Sequence, residues 1–197
     1  DDGPTRAQWE SFNSALKRLE PEKGSLIHSC NAAAAMRYPT FAADAVRPGI
    51  FLYGGCVGKG VAPPEEVARV RARVTLIRDV PESTTLGYGA TYCSSGNERW
   101  ATLSIGYGDG FPRVLGNRGN ALLAGQKFPT IGRISMDMTV VDITGAGGVE
   151  VGDAATLIGT DGDGVITLDE VADLAGTISY EILTGFTARM PRIWITE

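Results

Sequence analysis

From Val70 onward apolar and polar positions alternate: Val70, Ala72, Val74 and Leu76 are interleaved with Arg69, Arg71, Arg73 and Thr75. A period of two is that of a strand with one face in water, and it predicts a strand through this run. Short apolar runs separated by turn residues follow. They predict strands at Trp100–Ile105, Ala121–Ala124, Pro129–Ile134, Thr139–Ile143, Ala154–Ile158 and Arg192–Thr196. Regular short strands argue for an antiparallel sandwich or barrel. Two helices interrupt them, Leu168–Leu174, opened by a capping box of Thr167 and Glu170, and Ile178–Leu183.

The front of the chain has another rhythm. Trp9, Phe12, Leu16 and Leu19 fall on one face of a helix predicted over Thr5–Leu19, where Thr5 and Gln8 have capping-box spacing. Ser25–Ser29 reads as a short strand, Asn31–Met36 as the start of an alanine-rich helix and Ile50–Tyr53 as a buried strand. That alternation is the pattern of α/β units. A Gly/Pro linker, Val57–Glu66, separates the two rhythms.

Composition narrows the partners. The 197 residues are 43% apolar and 21% charged, a soluble balance with room for one large or two small domains. A net charge of −5 with no basic cluster argues against nucleic acid. No apolar run approaches the roughly 20 residues of a membrane helix. The polar start, DDGPTRAQWE, is no signal peptide, and without a Met it reads as the middle of something longer. Cys30, Cys56 and Cys93 are odd in number and widely spaced. They predict reduced thiols and a cytoplasmic setting rather than a disulfide framework or a CxxC metal site. His28 is the single histidine, so a catalytic triad or a His-rich metal site would have to use it.

Two stretches carry candidate chemistry. Gly159–Glu170, GTDGDGVITLDE, comes close to a calcium loop, with Asp161, Asp163, Gly164 and Glu170 at EF-hand positions. Its first ligand position is Gly159, and the segment before it reads as a strand, so an acidic loop leading into a capped helix is expected instead. In Ala101–Arg113, ATLSIGYGDGFPR, a buried strand breaks at Gly106, and Gly108 and Gly110 follow at alternate positions. Glycines there allow left-handed backbone or close approach. Tyr107, presented at a strand end by such backbone, suits a site; the alternative is a turn with an aromatic ring packed over it.

Seven segments in order resemble alanine racemases, fold-type III enzymes that use pyridoxal phosphate: HSCNAAAAMRYP, DAVRPGIFLYG, LGYGATY, SIGYGDGFPR, NRGNALLAGQKFPTIGRISMDMTVVDIT, GTISYEIL and ARMPRI. They cover most of residues 25–195. The resemblance implies that residues 1–60 are the last α/β units of a (β/α)8 barrel that carries the cofactor. Residues 65–197 would be the mostly β C-terminal domain. It implies that Tyr107 is the catalytic tyrosine, reaching across a homodimer interface to move the α-proton on one face of the substrate. Arg47 would hydrogen-bond the pyridine nitrogen, oriented by His28, and the amides of Gly49 and Ile50 would hold the phosphate. The Met136 amide would hold the substrate carboxylate with Asp137 beside it, and Arg133 would line the way in.

There are departures. The lysine that binds the cofactor sits in a VKANAYGHG-like motif in the family, and Lys17, Lys23, Lys59 and Lys127 lack that context. Ala32 stands where many members have a phosphate-contacting serine, and Ala188 where some have a tyrosine. The implied activity of the intact protein is interconversion of L- and D-alanine for peptidoglycan synthesis, with this chain alone inactive. A serine or broad-specificity racemase, or a non-enzymatic dimerising β module, are the alternative readings.

Overall fold

A computed structural model describes residues 2–195, and the chain divides into two units, Asp1–Glu65 and Glu66–Glu197. The first unit opens with α1 (Gly3–Leu19), which starts two residues before the predicted boundary. Pro4 fits the first turn, where a missing N–H costs nothing. Thr5 is therefore inside the helix and caps nothing, and Asp2 at the N-cap makes no side-chain capping bond. Trp9 stacks on Phe41 with ring centroids 4.8 Å apart. β1 (His28–Asn31) leads directly into α2 (Ala32–Arg37), whose N-cap Asn31 accepts from the Ala34 amide at 2.9 Å. β2 (Ala45–Arg47) returns parallel to β1, with His28 opposite Ala45 and Asn31 opposite Arg47. The strand expected at Ile50–Tyr53 is a 3-10 turn, Gly49–Tyr53. Left-handed Gly49 (φ 53°), placed just after Pro48, breaks the extended path before the apolar run begins.

In the second unit, β3 (Val70–Val80) buries Val70, Ala72 and Val74 and exposes the arginines between them. Leu76 departs from the predicted alternation and is 45% exposed. The pairing register shifts between Val74 and Leu76, and a one-residue slip turns every later side chain to the opposite face. A small ribbon of β4 (Thr85–Leu86) and β5 (Tyr92–Cys93) follows. β6 (Glu98–Leu103), β7 (Asn120–Leu123), β8 (Gln126–Ile131), β9 (Thr139–Asp142), β10 (Ala154–Asp161) and β11 (Gly164–Ile166) complete the strands. The antiparallel sheet has the order β11-β10-β3-β6-β9-β8-β7, and Thr156 of β10 also pairs with Leu122 of β7. Trp100, Leu103, Leu122, Leu157 and Ile158 are buried in its core. β8 stops at Ile131 rather than Ile134 because Gly132 turns left-handed (φ 68°).

α3 (Leu168–Ala175) is capped by Thr167, which accepts from the Glu170 amide at 3.0 Å, and α4 (Ser179–Gly185) follows. The calcium-like stretch is a strand–turn–strand hairpin in which Gly159 faces Ile166. Asp161 accepts from the Gly125 amide at 3.0 Å and Glu170 holds Lys127 at 3.0 Å, so two of its carboxylates are engaged within the fold. Among the described residues, no group of three His, Cys, Asp or Glu side chains could hold a metal. The strand expected at Arg192–Thr196 is not formed over residues 192–195, where no described strand pairs with it; Thr196 lies outside the described residues. Among the described residues no helix is long and apolar enough to cross a membrane.

Candidate functional site

Beyond β6 the chain buries Ile105 and enters a single 3-10 turn, Tyr107–Asp109. The turn closes on itself: Gly106 N donates to Asp109 Oδ2 at 3.0 Å, and Phe111 N to the Gly106 carbonyl at 3.1 Å. It is also laid along Ser135–Met138, through Tyr107 N to the Ser135 carbonyl (3.0 Å) and Gly108 N to the Met136 carbonyl (2.8 Å). Ser135–Met138 is held by its own bonds, Ser135 N to the Met138 carbonyl at 2.9 Å and Met138 N to Ser135 Oγ at 3.1 Å.

Two of the alternate glycines are a steric requirement against backbone. A Cβ at Gly106 would lie 2.3 Å from the Ser135 carbonyl oxygen, whereas from one at Gly108 the nearest backbone atom, the Met136 carbonyl oxygen, is 3.0 Å away and the closer Arg189 Nη1 ends a flexible side chain. One at Gly110, whose φ is 100°, would lie 2.2 Å from the Gly185 carbonyl oxygen. Phe111 goes into the core, whereas Tyr107 keeps 43% of its surface exposed. The backbone N–H of Met136 makes no hydrogen bond with another described residue, and that side chain is exposed. A phenol and an unengaged amide donor thus stand on two segments pinned side by side.

Asp109 is buried and faces Arg189, with Oδ1 3.3 Å from Nε. The same guanidinium reaches Asp137 Oδ1 from Nη2 at 2.5 Å. The bond to Asp137, and then the charge of Asp109, hold the Arg189 guanidinium above its ordinary pKa. Thr187 straps this end of the chain to the turn: its amide donates to the Asp109 carbonyl (3.0 Å) and its hydroxyl to the Gly108 carbonyl (3.1 Å). Arg133, three residues before Met136, is exposed and lies over the loop at Gly89. Arg189 lies in the ARMPRI segment, which assigned it no role, and Thr187 lies outside the seven segments. Arg189 lies 80 positions from Asp109 and 52 from Asp137, so no local spacing links them.

The other expected residues gather on the first unit. Arg47 donates from Nη1 to His28 Nδ1 at 2.7 Å and from Nη2 to the Ser29 carbonyl at 2.6 Å. A guanidinium only donates, so Nδ1 of His28 accepts and the ring proton sits on Nε2. A cavity of about 480 Å³ is lined by His28, Asn31 and Arg47 among others. The amides of Gly49 and Ile50, the first two of a 3-10 turn, have no intrahelical acceptor. These features fit both ends of pyridoxal phosphate: an oriented donor for a ring nitrogen and backbone amides for a phosphate. The lysine that would bind its aldehyde is not supplied by this chain in the expected motif.

Comparison with known proteins agrees across the chain. The family model for the alanine racemase C-terminal domain matches residues 67–194, and that for the N-terminal domain matches residues 1–57. An alanine racemase of Carboxydothermus hydrogenoformans is 41% identical over 97% of this chain and 54% of its own length. One of Halothermothrix orenii is 37% identical over 98% of this chain and 52% of its own length. Among solved structures, the alanine racemase of Bacillus anthracis with bound L-Ala-P aligns with a TM-score of 0.89 at 32% identity, covering 100% of this chain and 52% of that one. That of Clostridium difficile in complex with cycloserine aligns at 0.85 and 31% identity, over 96% and 51%. The chain spans about half the length of the curated relatives it matches.

Proposed function

The chain belongs to the alanine racemase family, and from that premise we propose that it forms the C-terminal part of a pyridoxal-phosphate-dependent enzyme interconverting L- and D-alanine. The observation that carries this reading is the Tyr107 turn pinned against Ser135–Met138, with Tyr107 and Met136 both exposed and the Met136 amide without a hydrogen-bond partner among the described residues. Tyr107 acts as the base or acid on one face of the substrate, across the interface of a cytoplasmic homodimer. A phenol serves as a base at neutral pH only where positive charge or donors favour its anion, and the rest of the racemase supplies them. The Met136 N–H donates to the substrate carboxylate, a charge-assisted bond that orients the α-proton. The product D-alanine serves peptidoglycan synthesis.

When bound, pyridoxal phosphate supplies an electron sink for the charge left on the α-carbon. Arg47, steadied by His28 and Ser29, would donate to its ring nitrogen, and the amides of Gly49 and Ile50 would hold its phosphate. Arginine does not give up its proton, so Arg47 would keep the ring nitrogen unprotonated. Residues 1–60 are read as the last units of a (β/α)8 barrel and 65–197 as the β domain, its sheet closing into a barrel through Thr156 and Leu122.

In the full-length protein, Tyr107→Phe is expected to slow α-deuterium wash-out from L-alanine by about 100-fold or more, with wash-out from D-alanine little changed. Equal loss from both enantiomers would give Tyr107 another role. Racemisation of alanine by the 197-residue chain alone would overturn the reading that this chain, without the cofactor-binding lysine, is inactive. Relative kcat/KM on alanine, serine and lysine sets the substrate class.

A further inference from the structure

We propose that Arg189 is a positioning residue: it clamps Asp109 to Asp137, and so fixes the Tyr107 turn against the Met136 amide while neutralising the carboxylate beside it. The inference rests on the racemase reading above. Among the described residues, two backbone bonds join the two segments of the site, Tyr107 N to Ser135 O and Gly108 N to Met136 O. One of those segments is built on Gly106, Gly108 and Gly110, whose backbones have little intrinsic preference for a single conformation. Arg189 adds the side-chain link between them, Nε to Asp109 at 3.3 Å and Nη2 to Asp137 at 2.5 Å. Asp109 is a firm anchor, because its other oxygen holds Gly106 N and it is 8% exposed. Asp137 has no other hydrogen-bond partner among the described residues. Its carboxylate is therefore aimed by Arg189 alone.

Charge gives the clamp a second effect. Asp137 is covalently next to the amide that receives the substrate carboxylate. With Arg189 in place its charge is compensated; without it, an unpaired anion stands beside an anion-binding group and opposes binding. An exposed isolated ion pair would be worth little, but this one is a three-member network with a buried partner. Lysine cannot replace the guanidinium, because a compact ammonium does not fork across two carboxylates. The guanidinium passes directly over Gly108, where a Cβ would fall 2.3 Å from Nη1.

The test uses the full-length holoenzyme. Arg189→Ala is expected to raise KM for both enantiomers about tenfold, with a smaller change in thermal midpoint. Arg189→Lys is expected to stay close to Arg189→Ala. Adding Asp137→Asn to Arg189→Ala is expected to recover about threefold in KM, because it removes the unpaired anion; a merely structural arginine would give no such recovery. An unchanged KM, full rescue by lysine, or absence of recovery by Asp137→Asn would overturn the proposal. If the wild-type holoenzyme exchanges the α-proton of neither enantiomer, the racemase reading itself fails. Arg189 is then judged by amide hydrogen exchange in the 197-residue chain. Exchange at Gly106 and Gly108 about tenfold faster in Arg189→Ala, with Trp100–Leu103 unchanged, supports the clamp; unchanged exchange at the two glycines refutes it.

Discussion

Glu98 is a buried carboxylate that accepts from Trp100 Nε1 (2.7 Å), the Ser95 amide (2.9 Å) and the Tyr92 hydroxyl (2.9 Å). Burial pushes its pKa up, but donation from Trp100, Ser95 and Tyr92 outweighs burial and leaves the group below its ordinary value. The phenol of Tyr92 moves the other way: burial, then its bond to Glu98, pushes it up to about 12. The two signs give opposite limbs of stability against pH. A depressed carboxylate stabilises the fold above its unfolded value, near 4.3, and that contribution is lost as pH falls through the folded value. A raised phenol contributes below its unfolded value, near 10, and the contribution is lost between about 10 and 12. Denaturant unfolding across a pH series is expected to show Glu98→Gln less stable by about 2 kcal/mol at pH 7, with the gap narrowing below about pH 4. Tyr92→Phe is expected to flatten the fall above about pH 10. A constant Glu98→Gln deficit at every pH would remove the charge from the explanation. At this scale, legibility depends on whether a residue's reason is local. Tyr107 could be singled out because Gly106, Gly108 and Gly110 surround it in sequence. Glu98 and Arg189 could not, because what defines them is the partners that folding brings to them.

At the scale of elements, apolar runs indicated where strands lie and turn chemistry decided where they end. The alternation from Val70 identified β3, yet the bulge after Val74 put Leu76 on the wet side, and no pattern of side chains announces an extra backbone residue. Ile50–Tyr53 is a four-residue apolar run, too short to separate strand from turn by periodicity, and the left-handed Gly49 decides it. Gly110 has the converse role: it lets the Tyr107 turn approach the end of α4. Gly110→Ala would place a methyl 2.2 Å from the Gly185 carbonyl oxygen at a backbone φ of 100°. Both the clash and the strain are unfavourable, and together they are expected to cost on the order of 3 kcal/mol, read as a lowered midpoint in urea. Gly145→Ala is the control: it too is left-handed, at φ 80°, but a Cβ there meets nothing within 4 Å, so only the strain of about 1 kcal/mol remains. Equal losses at the two positions would show that conformation, not close approach, explains glycine at 110.

On the scale of the whole molecule, the two units differ in what holds them. Among the described residues before Glu66, the buried apolar side chains are Cys30, Ala32 and Ile50, and α1 buries none of its residues. That is a small fully buried core for a unit of this length, and units with small cores are marginally stable on their own. The second unit buries Trp100, Phe111, Leu103, Leu157 and many others between paired strands, and it carries the Tyr107 turn with its Arg189 clamp. The Gly/Pro stretch Val57–Glu66 coincides with the division between the units, a boundary visible in composition because glycine and proline interrupt both helix and strand patterns. Residues 66–197 produced alone are therefore expected to unfold in one cooperative transition by calorimetry, with calorimetric and van't Hoff enthalpies equal. Residues 2–65 alone are expected to show some helical circular dichroism and no cooperative transition. A sharp transition in the shorter piece would mean that its aromatic stack of Trp9, Phe41 and Tyr38 supplies the core that the buried side chains do not. A broad, non-cooperative melt of 66–197 would place the missing stability outside that unit, and the Tyr107 site would then be formed only with the rest of the protein present.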